Sequence, residues 1–128
     1  MPSSIRLAAL AGLLLLATSA LPALAADPYG MWLRASTGTE LEFYDCGGKL
    51  CAKVVKVTDP AKQASVGTIV MDGAVKKGAN VWKGALTTEG KTYKGIVTLI
   101  DDNSLKLEGC ALGGLLCKGD TLSRVEGN

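Results

Sequence analysis

The chain contains no histidine, and that absence removes the commonest general base and metal ligand found in proteins. Aromatic side chains are scarce as well, with one Phe, two Trp and three Tyr among 128 residues. No serine sits in a Gly-x-Ser-x-Gly elbow and no glycine-rich loop has the spacing that cradles a phosphate, which excludes two widespread catalytic signatures. Neither sign of charge dominates: 14 basic against 12 acidic residues give a net charge of +2. Taken over the whole chain, that balance offers no electrostatic basis for binding nucleic acid or an anionic lipid surface. Asp101 and Asp102 are adjacent acids without a calcium-ligand ladder and read as turn formers. These absences describe a non-enzymatic protein with no metal and no cofactor.

The N-terminus carries its own signal. Arg6 precedes an apolar run over 7–17, and Ala23-Leu24-Ala25 supplies a small-x-small cleavage site. The run is too short to span a bilayer as a helix with ordinary flanks. Residues 1–25 are therefore expected to be a cleaved signal peptide, and 26–128 a single domain without a membrane anchor, located in the periplasm or secreted. A domain of about 100 residues buries only about two thirds of its unfolded surface, so covalent staples help it.

Four cysteines supply candidates for such staples, Cys46 with Cys51 and Cys110 with Cys117. A zinc site normally has closer spacing within each pair, and an exported chain meets oxidants first. Of the three possible connectivities, the local one is expected, each disulfide clipping its own hairpin.

Between and around the cysteines run short β-patterned segments separated by turn residues, at 30–35, 39–46, 50–57, 66–71, 80–87, 92–100, 104–110 and 116–125, with no sustained helical period. The polar stretch 58–65 is the longest connection. Side-chain alternation then predicts pairings. Setting Cys46 opposite Cys51 places Tyr44 against Lys53 and Phe43 against Val54. Setting Cys110 opposite Cys117 places Leu105 against Leu122. A turn at Glu89-Gly90 pairs Trp82 with Val97, Gly84 with Gly95 and Leu86 with Tyr93. A three-residue loop at 102–104 sets Leu99 opposite Leu107. Both cysteine clips fall on the polar face, and Lys56, Lys118 and Asp120 point inward with the leucines. The fold class is all-β, an antiparallel up-and-down meander of about eight strands closing into a small barrel with two hairpin disulfides.

The segments Gly30-Met31-Trp32, Tyr44-Asp45-Cys46-Gly47-Gly48-Lys49-Leu50-Cys51, Val81-Trp82-Lys83-Gly84 with Gly90-Lys91-Thr92-Tyr93, and Leu107-Glu108-Gly109-Cys110 through Leu116-Cys117 to Ser123-Arg124-Val125 together resemble one family of small exported bacterial proteins, catalogued as domain of unknown function 2147. The resemblance implies an exported β-barrel and names no substrate. Two features depart from the family pattern: Leu122 stands where a tryptophan is usual, and no proline-rich polar stretch precedes Gly67. The chain is also similar to the lipocalin-like calycins, which open their first strand with Gly-x-Trp and lay a late arginine across that tryptophan at the closed end of the barrel. This similarity assigns barrel closure to Gly30, Trp32 and Arg124, as a guanidinium stacked on an indole.

Two functions fit such a barrel. One is binding of a small, partly apolar molecule in the periplasm, with Phe43, Trp82, Tyr93, Leu107, Lys118 and Asp120 as candidate lining residues. The other is an envelope structural or protein-interaction module with a filled interior and a protein partner.

Overall fold

A computed structural model describes residues 27–126; the expected signal peptide, 1–25, lies outside the described residues. Eight strands follow one another around a closed antiparallel barrel: β1 (Gly30–Arg34), β2 (Thr39–Asp45), β3 (Leu50–Lys56), β4 (Ile69–Gly78), β5 (Val81–Thr88), β6 (Lys91–Asp101), β7 (Ser104–Ala111) and β8 (Leu116–Arg124). Each strand pairs with its sequence neighbours, and β8 returns to β1. Among the described residues no helix is long and apolar enough to cross a membrane.

Local chemistry explains the connections. At Glu89-Gly90 both central residues have positive φ, 49° and 77°, which is the type I′ geometry whose twist matches that of the flanking strands. Between β3 and β4, Asp59 accepts a hydrogen bond from Ala61 N at 2.9 Å and Pro60 opens a 3-10 helix over Pro60–Ser65, so the expected long polar connection is a capped turn of helix.

The pairings expected for β5 with β6 and for β7 with β8 are present, including Trp82 with Val97, Leu86 with Tyr93, Leu105 with Leu122 and Cys110 with Cys117. Three expectations are corrected. Phe43 pairs with Ala52 and Tyr44 with Cys51, a slip of two residues that keeps Phe43, Tyr44, Lys53 and Val54 on their expected faces while the Cys46–Cys51 bond runs diagonally. Leu99 pairs with Leu105 in place of Leu107, because the turn at Asp102-Asn103 has two residues and a bulge between Leu99 and Asp101 absorbs the odd residue. The fourth strand runs over Ile69–Gly78 and not 66–71. Register shifts against both neighbours break its alternation, so that Met71 and Ala74, three apart, are both fully buried.

The barrel is filled. Trp32, Leu41, Phe43, Leu50, Ala52, Val54, Met71, Ala74, Trp82, Leu86, Val97, Leu99, Leu105 and Leu122 form one buried cluster. A band of glycine crosses three strands, Gly84 beside Gly95 and Gly95 beside Gly109, and the missing side chains make room for others. A Cβ on Gly95 would lie 2.7 Å from Met71 Cε and 2.8 Å from Leu86 Cβ, and one on Gly84 would lie 2.7 Å from Ala74 Cα. The small residues thus leave room on the inner face of β4–β6 for Met71 and Leu86 to pack across neighbouring strands.

Both expected disulfides are formed, with Cα separations of 5.9 Å for Cys46–Cys51 and 4.0 Å for Cys110–Cys117. They sit at opposite ends, the first in the β2–β3 connection beside the chain's entry into β1 and the second at the far end, where β7 turns into β8. Register keeps them on the outer face, although Cys51 and Cys110 are themselves buried, and Asp72 Oδ1 lies 3.7 Å from Cys51 Sγ.

Candidate functional site

The two ends of the barrel differ in chemistry. At the end where β1 begins, Trp32 is completely buried and its Nε1 donates to Pro28 O at 2.9 Å. Arg124, its β8 neighbour, stands over the indole with Cζ 4.4 Å from the ring centroid. The guanidinium donates to three carbonyls, those of Asp102, Tyr29 at 2.7 Å and Asp27 at 2.8 Å. One planar cation thus joins the N-terminal segment, the β6–β7 turn and the last strand, and this end is shut. Gly30 is required there, since its φ is 123° and a Cβ would come within 3.1 Å of Arg124 Nη1.

At the opposite end the inner face is unfinished. Above the packed middle, Tyr93 and Leu107 are only half-buried. Asp120 shares the inner face of β8 with Leu122 and is met by Arg34 from the inner face of β1, in an ion pair at 2.5 Å; Ser36 Oγ donates to the same carboxylate oxygen at 3.0 Å. The hydrogen bond from Arg34, then that from Ser36, lower the Asp120 pKa below its ordinary value against the opposing effect of burial. Along the backbone β1 meets β8 at Trp32 with Arg124 and Leu33 with Ser123, and Val125 N, just past β8, donates to Met31 O at 2.8 Å. Side chains continue the seam beyond them.

A groove of about 610 Å³ opens at this end, lined by Lys91, Thr92, Tyr93 and Lys94 of β6, Cys110 and Ala111 of β7, and Leu112, Gly113 and Gly114 of the following turn. None of its lining residues belongs to the buried core cluster.

The six expected lining residues divide accordingly. Phe43 is buried in the core beside Gly30 and Ala52, and Trp82 lies at the shut half near the β4–β5 turn, with Lys76 Nζ 5.5 Å from its ring centre. Tyr93 stands on the wall of the groove, four residues and about 13 Å along β6 from Trp82's partner Val97. Leu107 and Asp120 are paired neighbours, and Lys118 faces Gly109 one step nearer the mouth, exposed to solvent. Lys56, expected inward, is exposed and pairs with Glu40 at 3.7 Å, because the bulge between the Glu40 and Leu41 pairings turns it out. Arg34 and Ser36, which complete the Asp120 cluster, were not among the candidates. The signal for Arg34 was present all the same, because it follows Trp32 by two and so shares its face.

No curated protein matches the chain significantly. Among solved structures, protein HP1028 of Helicobacter pylori, described as belonging to the lipocalin family, superposes with a TM-score of 0.65 at 18% identity, over 79% of this chain and 84% of that one. At that identity the likeness speaks to the fold, a lipocalin-like barrel. A family model, by contrast, matches nearly all of the described barrel, from residue 30 to residue 124. The chain belongs to the family of uncharacterized proteins conserved in bacteria, DUF2147.

Proposed function

We propose that this is an exported, non-enzymatic binding protein that receives a small, partly apolar molecule at the mouth of its barrel. The observation that carries the reading is the rim groove, whose lining includes Tyr93 and Leu112 together with two lysines, Lys91 and Lys94. Groove volume and chemistry suit a small molecule with an anionic group at one end. Trp82 and Phe43 support the wall from the core and do not touch the ligand. The lipocalin-like architecture is in keeping with binding, by analogy of fold. The disulfides fit an oxidising, extracytoplasmic compartment.

Native mass spectrometry on protein purified without denaturant tests this. The expected result is a retained small molecule that Tyr93→Ala loses while melting within a few degrees of wild type. Trp82→Ala lowers stability and leaves retention intact below its melting temperature. A wild-type protein that carries no adduct and takes up none from a panel of amphipathic anions overturns the reading. The close-packed interior favours a second function, an envelope interaction module acting through its surface, and that result would leave it standing.

A further inference from the structure

The turn between β7 and β8 exposes more apolar surface than any other tip of the described barrel. Leu112, Leu115 and Leu116 are 73%, 88% and 53% exposed. Soluble domains scatter single leucines over their surfaces, but three within five residues at one protruding tip are a patch with a direction. The tip is also held in shape. Cys110–Cys117 closes its base, and Leu112, Gly113 and Gly114 have φ of 53°, 69° and 95°. A left-handed leucine is strained and persists only where the surroundings fix it. Presentation of the leucines is thus imposed by the backbone and costs no further ordering.

The surroundings of the tip are basic. Lys91 and Lys94 line the groove beside Leu112, and Lys118 follows Cys117 directly. Among the described residues the ion pairs engage Arg34, Lys53, Lys56 and Lys106, so these three lysines have no carboxylate within 4 Å. Glu89 lies in the adjacent β5–β6 turn, Asp120 is engaged by Arg34, and Glu108 by Lys106. A convex apolar tip with a basic collar has the layout of a group that enters a bilayer interface, leucines below the headgroups and ammonium groups among the phosphates.

We propose that the Leu112–Leu116 tip docks the barrel, mouth downward, on an anionic phospholipid surface. The near-neutral chain as a whole gives no long-range attraction, so the local collar and leucine insertion supply the affinity. The inference shares Leu112, Lys91 and Lys94 with the ligand reading, and Leu115 and Leu116, which lie outside the groove, separate the two. It would bring the mouth of the barrel against the lipid.

The test is co-sedimentation of purified mature protein with phosphatidylcholine vesicles containing phosphatidylglycerol, compared with phosphatidylcholine alone. Binding is expected to the mixed vesicles. Leu115→Ser with Leu116→Ser is expected to reduce it at least roughly tenfold, and Lys94→Glu with Lys118→Glu to remove the preference for the anionic lipid. Both pairs are exposed, and circular dichroism checks that the barrel is intact. Absence of wild-type binding, or binding that the leucine pair does not alter, overturns the proposal. So does a concentration-dependent dimer in sedimentation velocity that the serine variant abolishes without any vesicle binding, because the tip would then serve self-association.

Discussion

Arg124 covers Trp32 with its guanidinium carbon 4.4 Å from the indole centre while its nitrogens bind carbonyls on two other parts of the chain. The pair welds both termini of the described barrel to the β6–β7 turn.

Replacing Arg124 by Ala removes three charge-assisted hydrogen bonds and a stacked cation, and leaves the carbonyls of Asp102, Tyr29 and Asp27 without that donor. The expected loss is about 2–4 kcal/mol, seen as a melting temperature lower by roughly 10–20 °C. Arg124→Lys should recover less than half of it, since an ammonium on a flexible stem cannot serve three carbonyls and stack at once. A melting temperature unchanged in the alanine variant would mean that barrel closure lies elsewhere.

Gly95→Ala places a methyl group against Met71 Cε, Leu86 Cβ and Gly84 O, the last at 3.0 Å and part of the backbone. The cost is expected at about 1–3 kcal/mol by overpacking, read from guanidinium unfolding. Tolerance of the substitution without loss would show that the middle of the barrel is looser than these contacts require.

Each disulfide closes a short loop and should contribute about 2 kcal/mol in the chain-entropy account. Cys46→Ala with Cys51→Ala, and separately Cys110→Ala with Cys117→Ala, are each expected to lower the guanidinium midpoint while the fold persists. Residual β-sheet circular dichroism before the transition checks that persistence. Loss of the fold in either variant would show a staple acting beyond its own hairpin.

Asp120 titrates below its ordinary value in the folded barrel, so its ion pair with Arg34 adds stability above the unfolded carboxylate pKa of about 3.9. That contribution is lost as pH falls through the lower folded value. The pair is partly exposed, so the effect is no more than about 1 kcal/mol. Comparing wild type with Asp120→Asn, the stability gap should be present at neutral pH and close as the pH falls below the unfolded carboxylate value of about 3.9 and on through the lower folded one. A gap independent of pH would assign Asp120 a packing role instead.

What the sequence disclosed depended on where alternation survives. The hairpins β5–β6 and β7–β8 were readable to the residue pair, because Glu89-Gly90 and the Cys110–Cys117 bond each fix a register. Bulges defeat the same reasoning: the odd residue before Asp101 moved Leu99 to Leu105, and the one near Val55 turned Lys56 out. In β4, Gly73 and the run Lys76-Lys77-Gly78 hide a strand whose buried residues are three apart. At the site, Tyr93, Leu107 and Asp120 fall near the mouth, whereas Phe43 and Trp82 fall in the packed half. Face counting assigns a side to a residue but not a height along the barrel, and height separates wall from core.

The seam between β1 and β8 rests on two strand pairs, the Val125 N to Met31 O bond beside them, and side chains that reach across it, among them Arg124 and its partner carbonyl on Tyr29, 95 positions earlier in the chain. Every other junction joins strands that are consecutive along the chain. Such junctions form early, for little loop entropy, as the polypeptide emerges. Until β8 arrives, β1 presents an unpaired edge to whatever lies nearby. The period of greatest exposure to misassembly therefore lasts until Arg124 reaches Trp32, and substitutions at the seam should act on folding yield before they act on the finished molecule.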